Sequence, residues 1–367
     1  MRDLLNYYQA LLKDTAARGE ELRIQGAGTK DFLGGHLTGI PLSTKGYEGI
    51  VCYEPEELFV TVRSGTKIHD LQSELVTRGQ CLAFDPLQLG EKSTVGGMVA
   101  SGLQGPDRIS MGPLRDYLLG ITMADGRGRF LRFGGTVIKN VSGFDVSRLM
   151  GGSWGTLGLM LDVTFKTLPT PARCETLVLE MPQKKAIETT HRLVGEGFPL
   201  RASTFLGKDE GQLYLSLAGD AASLELGLQS LQGRLGGTRL EKPEANAFWQ
   251  SLRTLEHPFL KGGGLEGETL WMITCPLLSD HLPLPGETLI EWHGGRRWWW
   301  GDGVPQNLIA ELQTKGGQVR AVRFPCRTTH FGERLHRQGP MDLLDRRIRE
   351  VFDPDHRLNQ RWGSHAR

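Results

Sequence analysis

Three stretches of this chain carry almost no side chain: Gly26-Ala27-Gly28-Thr29, Thr94-Val95-Gly96-Gly97-Met98-Val99-Ala100-Ser101-Gly102, and Gly151-Gly152-Ser153-Trp154-Gly155-Thr156-Leu157-Gly158. Bare backbone leaves amide N–H groups free and lets a bulky, anionic ligand come close. The three read as walls of one phosphate-bearing cofactor site, with Gln25 at the entry of the first and Pro86 and Gly90 leading into the second. Within them Thr29, Thr94 and Ser101 offer hydroxyl donors. Gly96, Gly97, Gly102, Gly152, Gly155 and Leu157 offer open backbone. Lys30 and Arg115 are cations that either neutralise phosphate charge or lie on the surface, and Asp116 is expected to pair with Arg115 or a neighbouring backbone group.

Familiar phosphate motifs do not account for the pattern. Asp31 stands where the third glycine of G-x-G-x-x-G belongs, which removes the main support for a Rossmann site. Gly90-Glu91-Lys92-Ser93-Thr94 only superficially resembles a Walker A loop, because Glu91 separates glycine from lysine. Gly34-Gly35-His36 invites covalent flavin attachment but reads better as a turn with an exposed histidine. Five dispersed cysteines (Cys52, Cys81, Cys174, Cys275, Cys326) with no C-x-x-C pair fit reduced thiols, and alone cannot ligate an iron–sulfur cluster or structural zinc.

The chain's 367 residues exceed what one core usually organises. A net charge of +1 argues against a nucleic-acid partner. The 49 glycines, about twice the usual ~7%, fall at turns and not in low-complexity tracts. No run of 18 apolar residues is present, and the first residues lack the basic-then-apolar order of a secretory signal. The expectation is a cytoplasmic protein, with peripheral attachment to the inner membrane only through a complex. The last segment, 320–367, is rich in arginine and has no lysine.

These residues must be positioned by elements that the periodicity outlines. Apolar spacing predicts a helix over 3–18, a strand at 22–25, strands at 50–53 and 58–62, and a helix from 68 ending at Gly79. A strand at 118–123 turns at Ala124-Asp125-Gly126-Arg127-Gly128 into 130–133, and a further strand covers 157–166. Pro169 and Pro171 mark a boundary. Beyond it a strand at 176–180, a helix at 184–195, a strand at 213–217 and a helix at 222–235 suggest a smaller α+β unit. Two aromatic-basic runs follow, 248–259 and 289–300, the second resembling a protein-interface hot spot. A helix over 341–352 precedes the tail with Asn359. The expected domains are 1–170, 171–320, and a segment 321–367 returning to the first.

Ordered along the chain, Gln25-Gly26-Ala27-Gly28-Thr29, Asp85-Pro86, Ser93-Thr94-Val95-Gly96-Gly97, Ala124-Asp125-Gly126, Lys139-Asn140-x-x-Gly143-Phe144-Asp145 and Gly152-Ser153-Trp154-Gly155-Thr156-Leu157-Gly158 resemble the PCMH-type (vanillyl-alcohol oxidase-like) FAD-binding family over about residues 20–167. Within it, Glu291-Trp292-x-Gly294-Gly295-x-Arg297-Trp298 and Phe248-Trp249-x-x-Leu252-Arg253 are similar to the shorter FAD-binding subunits of bacterial glycolate oxidases. The resemblance implies an α+β fold, a two-part FAD-binding domain followed by a smaller α+β cap. It also implies FAD held without a covalent link, and an oxidoreductase acting on a small 2-hydroxy acid. The partners implied are a sister FAD subunit and an iron–sulfur subunit. The metal motif of the longer hydroxyacid dehydrogenases is missing, since Gly301-Asp302-Gly303 has tryptophans before it and no flanking histidines; no metal is expected.

Oxidising a 2-hydroxy acid needs a base and cations for the carboxylate. Arg253, Arg296, Arg297 and Arg323 are candidate carboxylate ligands, and His257, His293 and His330 candidate bases; for most of the arginines the alternative is a structural contact. Two readings stay open. Either the chain oxidises the substrate itself, or it is an accessory FAD-carrying subunit with catalysis in a sister chain. An NADPH-dependent flavin reductase of the same fold is a third.

Overall fold

Tyr8, Leu12 and Thr15 share one face of the helix Arg2–Arg18, which stops at Gly19 in the left-handed conformation. That face packs on Leu22, Leu42, Leu159, Leu161 and Leu358. In this computed structural model the described residues are 1–33, 38–136, 145–262, 264, 267–276, 279, 281–323 and 340–360. Gly34, Gly35, His36, Lys139, Asn140, Gly143, Phe144, Cys326 and His330 therefore lie outside them.

The chain divides into two compact units, one of Met1–Gln104, Pro113–Thr170 and His336–Arg367, the other of Gly105–Gly112 and Pro171–Leu335. In the first, Leu22–Gln25 and Ile40–Ser43 form a parallel pair. A five-stranded antiparallel sheet runs Ile50–Glu54, Phe59–Arg63, Leu159–Lys166, Leu118–Ala124, Phe130–Gly134. Leu159–Lys166 is buried at six of eight positions, as a central strand covered on both faces must be. The hairpin turn after Ala124 is closed by the Asp125 carboxylate, which accepts the amides of Arg127 and Arg129 and pairs with the Arg129 guanidinium.

In the second unit an eight-stranded antiparallel sheet runs Thr238–Arg239, Arg173–Pro182, Glu210–Gly219, Leu200–Gly207, Thr288–Glu291, Arg296–Gly301, Thr269–Thr274, Gln318–Arg323. The helices Gln183–Gly195 and Ala221–Leu235 bury Ala186, Ile187, Leu193, Leu224, Leu228 and Leu231 against it. Leu200–Gly207 is a strand the periodicity did not reveal. The segment 105–112, expected in the first domain, packs in the second unit. There the buried Asp107 carboxylate receives both Arg201 and Arg253, and the Trp292 indole N–H donates to Gly105 O at 2.8 Å.

Candidate cofactor site

In the first unit the strand Leu22–Gln25 runs into the turn 26–31. The amides of Ala27, Gly28, Thr29 and Lys30 donate to no protein group among the described residues. The turn leans directly on the next wall: a Cβ at Gly26 would lie 2.1 Å from Thr94 Oγ1, so only glycine fits. Thr29 Oγ1 also hydrogen-bonds Ser93 Oγ at 3.1 Å.

The second wall is not an open loop. Val95–Ser101 forms a short helix, with Thr94 Oγ1 accepting the Gly97 amide at 3.2 Å and Gly102 closing it at positive φ. Glycines there let neighbouring chain approach, and the bareness read as an exposed loop is largely a packing device. The third wall, 151–158, is tied to that helix by Gly152 N–H to Val99 O at 2.9 Å and Trp154 N–H to Ala100 O at 2.7 Å.

The walls enclose a cleft of about 680 Å³, counting its solvent-open mouth. Of the expected residues, Gln25, Gly26, Ala27, Gly28, Thr29, Lys30, Thr94, Gly96, Gly97, Ser101 and Gly155 line it. Pro86, Gly90, Gly102, Arg115, Gly152 and Leu157 do not. Pro86 bridges Gln104, Gly90 caps an exposed turn under Ser93, and Gly102 faces Gly152 as helix abuts turn. Arg115 points to solvent, Leu157 into the core, and Asp116 pairs with Arg148 at 3.1 Å instead of Arg115. Ala100, Trp154 and Gly158 lie in the walls read from the sequence without being singled out there; sequence reasoning missed Ile24, Asp31, Thr44, Ser64 and Met160 as lining residues, and left Asn359 in the tail with no firm flavin contact. The one available signal was position: Thr44 and Ser64 each follow directly on a strand.

Electrostatically the cleft is short of an anion. Lys30 is 8% exposed, and its ammonium has no ion pair among the described residues; burial alone lowers its pKa to about 8. It sits beside Gly97 at the start of the Val95–Ser101 helix, so a cation, free amides and a helix N-terminus share one place. The buried Ser64 hydroxyl also has no partner among the described residues. Asp31 is the one acid among the described lining residues, and burial raises its carboxyl above the usual range. An ammonium and unsatisfied donors, with small residues around them, fit a dinucleotide pyrophosphate.

The catalytic candidates among the described residues all lie in the second unit and already have partners. Arg296 is stacked 4.0 Å from the Trp292 ring and paired with buried Glu291 at 2.8 Å. Arg297 donates to Cys275 Sγ at 3.0 Å and Ser279 O at 3.1 Å. Arg253 reaches Asp107 at 3.2 Å, and Arg323 donates to Leu255 O at 3.0 Å. His293 Nδ1 lies 2.7 Å from Ser203 Oγ, and burial holds its pKa down at about 4. His257 accepts the Phe259 amide, its pKa also lowered by burial. The aromatic-basic run 289–300 is no surface patch: Trp298 and Trp299 are core residues of the sheet, with Arg296 and Arg297 equally buried.

This cleft, built from loops and lined by Met160 of the five-stranded antiparallel sheet, defines a dinucleotide-binding flavoprotein of the PCMH type. A family model described as an FAD binding domain matches residues 6–134. Glycolate oxidase subunit GlcE of Escherichia coli (strain K12) is 34% identical over 352 residues, 95% of each chain. The chain belongs to the glycolate oxidase subunit GlcE family. FAD is its cofactor, and it is an oxidoreductase subunit. Glycolate oxidase subunit GlcD of Bacillus subtilis (strain 168) is 31% identical over 140 residues, 38% of this chain and 30% of that one. D-lactate dehydrogenase of Anaerostipes hadrus is 34% identical over 142 residues, 38% and 29%. Among solved structures, alkyldihydroxyacetonephosphate synthase matches with a TM-score of 0.64 at 12% identity, over 96% of this chain and 74% of that one, a likeness of fold.

Proposed function

We propose that the chain is the FAD-carrying subunit of a multi-subunit oxidoreductase that takes two electrons and two protons from a 2-hydroxy acid, glycolate being the substrate, with glyoxylate the product. The observation that carries the reading is the cleft in the first unit: a buried ammonium and four amides that have no partner among the described residues, in a chain 34% identical to a glycolate oxidase subunit along 95% of its length. When bound, FAD supplies the two-electron acceptor. The chain's own residues do the holding: Lys30 and the amides of residues 27–30 meet the pyrophosphate, and Gly96, Gly97 and Gly155 keep the walls low enough for it to enter. His36 lies outside the described residues, and attachment is read as non-covalent.

An iron–sulfur partner takes the electrons onward and a sister FAD subunit completes the assembly; any inner-membrane attachment comes through that complex. No helix among the described residues is long and apolar enough to cross a membrane. One observation favours the accessory reading of this chain: Arg253, Arg296, Arg297 and His293 are each engaged by other groups of the protein. Anaerobic addition of glycolate to the FAD-loaded single chain separates the cases. Bleaching of the flavin assigns oxidation to this chain. Unchanged absorbance that bleaches only when the sister subunit is added assigns it there, and bleaching by NADPH alone supports the reductase reading.

A further inference from the structure

We propose that Asn359 is a positioning residue for the cofactor: its carboxamide ties the strand leading into the 26–31 turn to the turn at Trp154–Gly155, so the FAD site is complete only once the C-terminal residues 352–359 are docked. The inference rests on reading the cleft as the FAD site.

Asn359 is 7% exposed and lines the cleft. Its Oδ1 accepts the Ile24 amide at 2.7 Å. Its Nδ2 donates to Ile24 O at 3.2 Å and to Trp154 O at 2.8 Å. Both amide hydrogens are thus spent on protein carbonyls, which makes the group a tie between walls and leaves it no donor for a ligand. A Cβ on Gly155 would lie 2.5 Å from Nδ2, so the opposite wall is cut to receive this side chain.

The backbone around it is equally committed. Leu358 makes a parallel bridge with Leu22, Leu22 N–H donates to Arg357 O and Asn359 N–H to Leu22 O, each at 2.9 Å. The strand Leu22–Gln25 therefore lies between Ile40–Ser43 and the tail, held on both edges. The buried Arg357 guanidinium anchors the tail by donating to Thr15 Oγ1, Glu20 O and Gly126 O. Asn359 has φ of 44°, a conformation that asparagine and glycine tolerate and most residues resist.

The test uses the full chain. Asn359→Gly keeps the backbone conformation and deletes the carboxamide; Asn359→Asp keeps the acceptor for Ile24 N–H and deletes both donors. FAD affinity is read by titrating apoprotein, the apoprotein fold by far-UV circular dichroism, and the flavin environment by the fine structure of its visible band. The expected result is an FAD dissociation constant raised about 10–100-fold for Asn359→Gly, with an intermediate rise for Asn359→Asp. The bound flavin's band moves toward that of free FAD, and the far-UV spectrum is unchanged. If apoprotein stability falls while affinity and band shape stay those of wild type, the inference is overturned and Asn359 is a residue of the fold alone. Lys30→Met controls for the cleft: loss of FAD there with retention in Asn359→Gly overturns only the positioning role, whereas retention in both overturns the cleft reading itself. Should Asn359→Gly not fold, Asn359→Asp and Gly155→Ala decide by the same readouts.

Discussion

Lys30 is buried with no counter-ion among the described residues, and the cost of that burial shows in its pKa of about 8 against an ordinary 10.5. A base with a depressed folded pKa is bound to fewer protons in the folded state between the two values, so apoprotein stability rises with pH across about 8 to 10.5. Below pH 8 the full penalty is present. Lys30→Met is expected to stabilise the apoprotein at pH 7 by about 2–3 kcal/mol, the gain fading toward pH 10.5, while FAD affinity falls at least about tenfold. Urea titrations across pH with and without FAD check both halves; stabilisation with undiminished affinity would place the pyrophosphate elsewhere. His293 gives a second window. Held neutral at about 4 against 6.5, it contributes stability present above pH 6.5 and lost as pH falls toward 4. His293→Gln should flatten that acid limb by about 3 kcal/mol, read as the slope of stability against pH rather than its absolute value.

The element that matters most is the Thr94–Gly102 stretch. Its glycines read as open loop, but a threonine N-cap and a left-handed glycine closure are also helix signals, and the helix forms because its small residues let it pack under Ser64 and against the 151–154 turn. Thr94→Ala should remove the cap at a cost of about 1 kcal/mol. Gly26→Ala, which drives a methyl into Thr94, should cost about 2–4 kcal/mol and weaken FAD retention. Thermal melts of apo- and FAD-loaded protein distinguish the two: similar shifts for both variants would mean that the Gly26 approach is slack. The 289–300 run teaches the opposite lesson. Its alternation of Trp and Arg suits a surface hot spot and a buried strand equally well, because a stacked and paired guanidinium can be buried as completely as an indole.

At the scale of the molecule, the segment 105–112 leaves the first unit three residues after the helix closure at Gly102 and is bound into the second by Asp107. That carboxylate is 1% exposed and serves two guanidiniums, so Asp107→Asn should leave both short of charge and destabilise the second unit by about 3–5 kcal/mol. Hydrogen exchange read separately in each unit checks this: protection should drop around Leu200–Gly207 and the Trp292 turn, and FAD should restore none of it there.

What the amino-acid sequence determined by itself was what local chemistry encodes: where glycine punctuates strands, which segments are amphipathic, and three bare stretches whose order resembles one flavoprotein family. Eleven of the expected cleft residues line it because turn-forming residues keep their character wherever the chain goes. Ser64 and Thr44 carry only their place after a strand and Asn359 only its place in the tail, since each reaches the cleft only when distant strands and the C-terminal residues pack together. Pro86, Gly90, Gly102, Arg115, Gly152 and Leu157 fall away from it for the same reason in reverse. A glycine's bare face is local, but whether ligand or a neighbouring chain segment fills the space beside it is settled by long-range packing alone.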